Sequence, residues 1–362
     1  MFLIIGALLT AVLAIQVWRV AIAELQRRRT IAKLPCPPSS SWILGNLLQS
    51  QIPPEYGQFE SEWRKEYGAV YRIKGLFGRE RLMVADTAAI HHIVNSEQFD
   101  YAPAFHGLLG ALFTEDALLV QKGRAHRDLR GALNVGFNAV AVKTYQPIFA
   151  NIAQRLSDDL ARVVAGNTAA AVDLYPLLNF SALAAISEAI FGSKIEDLSP
   201  EFKANNDAII AISPANSPIQ VLGDELLNMH LIPAWFMRLA VKYPTNSALR
   251  IFNNQVRLAD ETGWGLIRKK MDMAARGEMR EEDAEDIYSR VLFAEIVGAK
   301  PRNRITAKDL VRQTSIMSLA GQDTTGSTIA WTLLELARKP DIQQQLREEL
   351  GPPRSKLVSI IR

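Results

Sequence analysis

The sequence predicts a mainly α-helical protein with a small β-sheet, preceded by an N-terminal transmembrane helix. Three observations support this fold class. Apolar residues recur at helical intervals through most of the chain, most clearly in Thr306–Arg338. Gly68–Asp86 contains two strand-like runs on either side of a glycine-bounded turn, which predicts a hairpin. Met1–Ala23 is largely apolar, and roughly 20 such residues can span a bilayer.

The segment Thr306–Arg338 is the most informative part of the chain. Thr306 and Asp309 have the spacing of a capping box, and Pro340 cannot continue a helix, so one helix of roughly 50 Å is predicted between them. Its middle, Gly321–Thr328, is rich in poor helix formers, and a helix can break at such a point when it carries a functional site. The alternative is a close helix-packing contact through small residues, without chemistry.

The middle of this helix also carries a motif. Ala320-Gly-Gln-Asp-Thr-Thr325 resembles the oxygen-activation motif of the cytochrome P-450 family, and the sequence just after it also resembles that family. The resemblance implies an incomplete cytochrome P-450 fold that binds haem. It implies that Ala320 and Gly321 lie over the haem, and that Asp323 and Thr324 are catalytic residues. A hydroxyl with an acid behind it can relay the protons that oxygen activation needs.

A second match lies in Gly123–Phe137. His126 and Arg130 are four residues apart and therefore share one face of a predicted helix. The stretch resembles the family's helix in which Trp or His, and Arg four positions later, contact the haem propionates, which implies that His126 and Arg130 bind the cofactor. A guanidinium suits a carboxylate because it donates two parallel hydrogen bonds. The alternative is a solvated basic face, because Arg124 and Arg127 crowd the same stretch.

The N-terminal region divides into two predicted segments. Residues 1–23 form the transmembrane anchor, and residues 24–41 form a basic and Pro-rich hinge. Because Arg27–Arg29 and Lys33 follow the apolar segment and no basic residue precedes it, the positive-inside rule places the body of the chain in the cytosol. A cleaved signal peptide and an ordinary buried helix are the alternatives. Resemblance to membrane-anchored, fungal-like family members implies a single-pass protein of the endoplasmic reticulum membrane with a cytosolic catalytic domain.

Composition excludes several other classes of protein. The 362 residues carry a net charge of +3, which implies no nucleic-acid partner, and 48% are hydrophobic, which is ample for a large core. The single cysteine, Cys36, rules out an internal disulfide framework. His91 and His92 are adjacent and point to different helix faces, so they make a poor metal pair and no metal-ligating residue is predicted.

Residues 42–350 are predicted to form a partial cytochrome P-450 domain, and residues 351–362 form a divergent tail. The family's Glu-x-x-Arg helix and the loop with its haem-ligating cysteine should follow, and neither matches this tail. Glu335 and Arg338 have the Glu-x-x-Arg spacing by chance, because they belong to the central helix, and Cys36 lies beside the anchor. The chain is therefore interpreted as C-terminally truncated and inactive alone, since the thiolate favours O–O cleavage.

The resemblance implies a haem-thiolate monooxygenase. Such an enzyme would use O₂ and NADPH to oxidise or hydroxylate a lipophilic substrate, with electrons from a membrane-bound, NADPH-dependent flavoprotein reductase. An irregular segment after Tyr101 and the Pro-rich region near Ser213–Pro233 would border the substrate pocket. The apolar patch Leu231–Met237 would line its entrance, dip into the membrane surface or belong to the core. The alternative function is a non-catalytic, membrane-anchored helical interaction protein.

Overall fold

The computed structural model describes residues 31–350, apart from residues 56, 97, 167–171, 213–216, 230, 232–238, 240–242, 245, 246, 299 and 303, together with Ile15, Trp18 and Ile22. Nearly all of the predicted anchor at residues 1–23, the tail at residues 351–362 and nearly all of Leu231–Met237 lie outside the described residues. In the described part of the chain, no helix is long and apolar enough to cross a bilayer.

The described residues are mainly helical and include one two-stranded sheet, which confirms the predicted class of a mainly helical protein with a small sheet. Two π-helical turns, Ser187–Phe191 and Phe293–Val297, extend the eighth and twelfth helices. In chain order the elements are α1 (Leu47–Gln51), α2 (Gln58–Tyr67), β1 (Val70–Lys74), β2 (Glu80–Val84), α3 (Thr87–Asn95), α4 (Pro103–Phe113), α5 (Gly123–Phe137), α6 (Ala139–Thr144), α7 (Gln146–Gly166), α8 (Tyr175–Ile186), α9 (Pro200–Ile212), α10 (Pro218–Asn228), α11 (Ser247–Ala275), α12 (Ile287–Leu292), α13 (Ala307–Val311), α14 (Thr314–Arg338) and α15 (Pro340–Leu350).

The chain divides into two compact units. The first unit contains Met1–Leu108 and Ile212–Thr245, and the second contains Leu109–Ala211 and Asn246–Arg362. Every residue that the sequence predicts to bind haem or to act in catalysis belongs to the second unit, whereas Cys36 belongs to the first.

The predicted hairpin is present in the first unit. Its two strands are antiparallel, with Val70 opposite Val84 at one end and Lys74 opposite Glu80 at the other. Burial opposes ionisation of the Glu80 side chain. Hydrogen bonds from Lys74 and Arg72 outweigh that effect and hold the pKa of the Glu80 carboxyl below its usual range.

The proline-rich segment before the hairpin is fixed along β1. Arg72 donates a backbone hydrogen bond to the carbonyl of Pro35 (3.0 Å), and its Nε donates to the carbonyl of Leu34 (2.8 Å). These bonds hold Cys36 in place as a half-buried side chain. Burial raises the pKa of the Cys36 thiol, although the nearby positive charge of Arg72 opposes the shift. A thiol in this state is a poor metal ligand, because the thiolate is the form that binds.

The second unit is organised around one large hydrophobic cluster, to which α5, α8, α12 and α13 each contribute an inward face. Met317, in the first turn of α14, packs against the same cluster. Because α5 and α14 share this core, their outer faces are held in fixed positions. The cluster includes Leu129, Leu133, Ile186, Ile287, Tyr288, Val291, Leu292, Leu310 and Val311.

The prediction of a single helix over residues 306–338 was wrong at one point. The capping box at the start of α13 is present, but the chain turns at Arg312 and Gln313 before α14 begins. The side chain of Gln313 accepts a hydrogen bond from the backbone of Leu118 (2.9 Å) and donates one to the carbonyl of Asp116 (3.2 Å). These distant partners stabilise the turn. By contrast, Gly321–Thr328, whose poor helix formers allow a break, is continuous helix.

The prediction of an irregular segment with short helical turns over Tyr101–Val120 was also wrong in its first half, which α4 occupies, whereas residues 114–120 are irregular. Gly107 and Gly110 lower the helix propensity there. Burial of Leu109 and Phe113, each 7% exposed, in a cluster with residues of α9 and α14 outweighs that propensity.

Candidate functional site

Helix α5 presents the two predicted propionate-binding residues away from the core. Leu129 and Leu133 are buried on one face of the helix, whereas Arg130 is exposed and His126 is half-buried. Arg124, by contrast, forms an ion pair with Asp128 at 3.4 Å. Among the described residues, the guanidinium of Arg130 has no ion-pair or hydrogen-bond partner. Arg130 is therefore free to bind an external anion.

Helix α14 presents Ala320 and Thr324 on one exposed face, one helical turn apart. The Thr324 hydroxyl donates a hydrogen bond to the carbonyl of Ala320 at 2.6 Å, and Thr328 and Thr332 make the same bond one and two turns later. Such back-bonding leaves the oxygen lone pairs of each hydroxyl open to solvent or ligand. This face combines a small side chain with a hydroxyl.

Gly321 has a packing role in this structure. A Cβ at this position would lie 2.5 Å from Cδ1 of Ile186 on α8, so the missing side chain lets the two helices approach closely. Gly326 has the same role further along α14, where a Cβ would overlap the side-chain amide of Asn179. Both contacts support the alternative of close helix packing. The predicted contact of Gly321 with haem stays a prediction.

Asp323 lies beside the face of Ala320 and Thr324 and is engaged by a residue that the sequence did not single out. The phenol of Tyr175, at the start of α8, donates a hydrogen bond to Oδ1 of Asp323 at 2.6 Å and lies 3.3 Å from Oγ of Ser327. The only sequence signal for Tyr175 is that it lies in a stretch with apolar residues at helical intervals. The predicted catalytic pair therefore has a third polar partner.

A separate apolar cavity of about 450 Å³ lies beside α14 and is lined by side chains of α7 and α8. Phe137, Phe149, Ile186, Thr325 and Ile329 are among its lining residues. None of the predicted haem-binding residues lines it. Since it contains no cationic side chain, this cavity does not suit a ligand with carboxylate groups.

The residues of α5 and α14 fit a haem in part. Arg130 and His126 supply hydrogen-bond donors for carboxylates, and Ala320 and Thr324 supply a small, exposed helix face. An axial ligand is a different matter, because the chain has a single cysteine, Cys36. Cys36 belongs to the other unit.

Comparison with known proteins gives a consistent result. The sequence model of the family described as cytochrome P-450 matches residues 35–352. Cytochrome P-450 monooxygenase 219 of Postia placenta is 29% identical over 334 residues, covering 89% of this chain and 60% of that protein. Cytochrome P-450 monooxygenase claU of Ampulloclitocybe clavipes is 25% identical over 339 residues, covering 91% of this chain and 60% of that protein.

A solved structure shows the same fold. The retinoic acid-bound cyanobacterial protein CYP120A1 superposes with a TM-score of 0.59 at 20% sequence identity, covering 88% of this chain and 64% of that one. A likeness at this identity shows the fold alone. The chain spans about 60% of the length of the curated relatives described above. Because the family's sequence model matches most of the chain, this protein belongs to the cytochrome P-450 family.

Proposed function

We propose that this chain provides the distal half of a haem-thiolate monooxygenase, which oxidises or hydroxylates a lipophilic substrate with O₂. The observation that carries the proposal is the pair of outward faces on α5 and α14. One carries a guanidinium without a partner among the described residues, and the other carries the exposed Ala320 and Thr324. Both helices pack on the same core cluster, so the two faces have a fixed relation.

In this proposal each residue has a defined task. Arg130 and His126 bind the two haem carboxylates, since charge-assisted hydrogen bonds are the strongest available to a propionate. Ala320 allows the porphyrin face to approach the helix, because its side chain is a single methyl group. Thr324 at Oγ1 and Asp323 at Oδ2 hold and pass protons. Haem, when bound, supplies the redox chemistry of oxygen activation.

We propose that the chain of 362 residues is inactive by itself. Its one cysteine is Cys36, which belongs to the first unit and whose thiol pKa is raised by burial. No step of thiolate-dependent chemistry is therefore assigned to this chain alone. Electrons would come from an NADPH-dependent flavoprotein reductase, and residues 1–23 would anchor the protein in the endoplasmic reticulum membrane with its catalytic domain in the cytosol.

A second candidate function is a non-catalytic, membrane-anchored helical interaction protein. The apolar cavity beside α14 favours this candidate, because large apolar side chains at its rim are exposed: Phe137 (45%), Val142 (45%) and Phe149 (42%). Exposed apolar patches of this kind mark contacts with another protein segment.

A titration with haemin, followed by reduction under carbon monoxide, tests the proposal on the purified chain. We expect one haemin to bind and the carbon monoxide complex to lack the absorption band of a thiolate-ligated haem. A thiolate band would contradict the proposed inactivity and would point to Cys36. Failure to bind haemin would contradict the monooxygenase proposal and favour the interaction protein.

A further inference from the structure

The middle of α14 contains one polar contact that neither the motif nor the family assignment accounts for. Tyr175 reaches across from the start of α8 and donates a hydrogen bond to Oδ1 of Asp323 at 2.6 Å. Ser327, one turn further along α14, has its Oγ 3.3 Å from the same phenol oxygen. We propose that Tyr175 is a positioning residue, which fixes the carboxylate of Asp323 beside the face that carries Thr324. This role rests on the function proposed above.

The start of α8 holds Tyr175 in a defined place. Its backbone N–H donates to the carboxylate of Asp173 at 3.0 Å, and Pro176 follows at the first turn of the helix, where its fixed φ suits helix entry. The phenol is half-buried, as is Asp323. The Tyr175 side chain therefore has few alternative orientations in which it would keep its contacts.

Helix packing fixes the register between Tyr175 and its acceptor. Gly321 lies against Ile186, and Gly326 lies against Asn179, both with too little room for a Cβ. Two such close contacts on one pair of helices prevent α8 from sliding along α14. The two contacts run antiparallel, so Tyr175, one helical turn before Asn179 on α8, lies beyond the level of Gly326, and its long side chain reaches back to Ser327 and Asp323.

The geometry explains what Tyr175 contributes. Successive residues on a helix point about 100° apart, so Asp323 lies at the edge of the Ala320–Thr324 face and its carboxylate can turn in several directions. With Oδ1 held by the phenol, the free oxygen is Oδ2, for which no described residue provides a hydrogen bond. A proton carrier in one fixed orientation transfers protons faster than one that samples many.

The first test needs no haem. Carbodiimide labelling of the Asp323 carboxyl, measured by peptide mass spectrometry, compares the wild-type chain with Tyr175→Phe. The hydrogen bond from the phenol lowers the nucleophilicity of the carboxylate, so labelling should be about tenfold faster in the variant. The exposed Asp341 on α15 gives an internal reference, and Tyr67→Phe is the matched control. Equal labelling of Asp323 in wild type and Tyr175→Phe would overturn the proposal.

The second test separates positioning from a structural role. In the haemin-loaded chain, disproportionation of hydrogen peroxide to water and O₂, which needs neither an axial thiolate nor an added reductant, should be about tenfold slower in Tyr175→Phe while haemin affinity stays unchanged. Adding Tyr175→Phe to Asp323→Asn should cause no further fall, because Tyr175 acts only through Asp323. If the losses in peroxide rate of the two single variants add in the double variant, or if Tyr175→Phe leaves the rate unchanged, the positioning role of Tyr175 is overturned while the proposed function stands. A wild-type chain that binds no haemin would overturn the proposed function and this role together.

Discussion

A buried ion pair in the second unit gives the sharpest stability prediction. Arg304 donates hydrogen bonds to Glu295 from its backbone N–H (3.1 Å), from Nε (3.1 Å) and from Nη2. The Glu295 side chain is 0% exposed and that of Arg304 is 29% exposed. The other guanidinium nitrogen of Arg304 packs on α5, where a Cβ at Gly131 would lie 2.7 Å from it. The pair therefore supports the helix that carries Arg130.

Replacing Arg304 by alanine leaves a buried carboxylate with one backbone donor. Removing one partner of a buried ion pair costs about 3–5 kcal/mol, and partial exposure of Arg304 places the expected loss near the lower limit, about 3 kcal/mol. Arg257→Ala is the matched control, because Arg257 and Glu261 form a pair on α11 whose side chains are 57% and 59% exposed. That loss should stay below about 1 kcal/mol.

Urea unfolding followed by helical circular dichroism measures both losses, since the midpoint shift multiplied by the slope gives the change in unfolding free energy. The double variant Glu295→Met/Arg304→Met should recover much of the loss, because no charge is then left buried without a partner. A loss for Arg304→Ala as small as that for Arg257→Ala would refute the reasoning, and would mean that Glu295 is solvated in the folded chain.

Three further predictions concern other regions of the chain. Gly192→Ala should destabilise the protein by at least about 1 kcal/mol more than Gly277→Ala in the same urea assay. Both glycines have a positive φ (+65° and +71°), but only at Gly192 would the added Cβ overlap the Asp286 carboxylate. Equal losses of stability for the two variants would contradict this prediction. The lowered pKa of Glu80 stabilises the fold above the unfolded-state value of about 4.3, and that stability is lost as pH falls through the folded-state pKa. The stability advantage of wild type over Glu80→Gln should therefore shrink between about pH 5 and pH 3, and a constant difference would be evidence against the ion pair. Because burial raises the pKa of its thiol, Cys36 should react with iodoacetamide several-fold more slowly in the folded chain than in urea, a difference that equal alkylation rates would disprove.

Local signals in the sequence were sufficient for the hairpin, for the helix at Gly123–Phe137 and for the start of the helix at Thr306. The capping box at Thr306 and the hairpin in Gly68–Asp86 depend on residues within a few positions of one another, and both are present. The turn at Gln313 was missed because its partners, Asp116 and Leu118, lie far away in the sequence. Periodicity carries no information about such a contact.

The candidate site was predictable in its residue types but not in its contacts. The spacing of His126 and Arg130 places them on one helix, as observed. Neither the packing of Gly321 on Ile186 nor the hydrogen bond from Tyr175 to Asp323 has a local signature, because each joins α8 to α14 across more than 100 residues of sequence. A glycine in a helix has the same sequence pattern whether its open side faces a ligand or another helix.

The central claim is that Arg130 of α5 binds a haem carboxylate. Optical titration with haemin of the wild-type chain, Arg130→Ala and Arg127→Ala tests it most directly, because Arg127 is also exposed on α5 but points about 60° away around the helix. Loss of a charge-assisted hydrogen bond predicts about tenfold weaker haemin binding for Arg130→Ala, with Arg127→Ala close to wild type. Equal affinities for all three chains, or an equal loss for both variants, would contradict the claim.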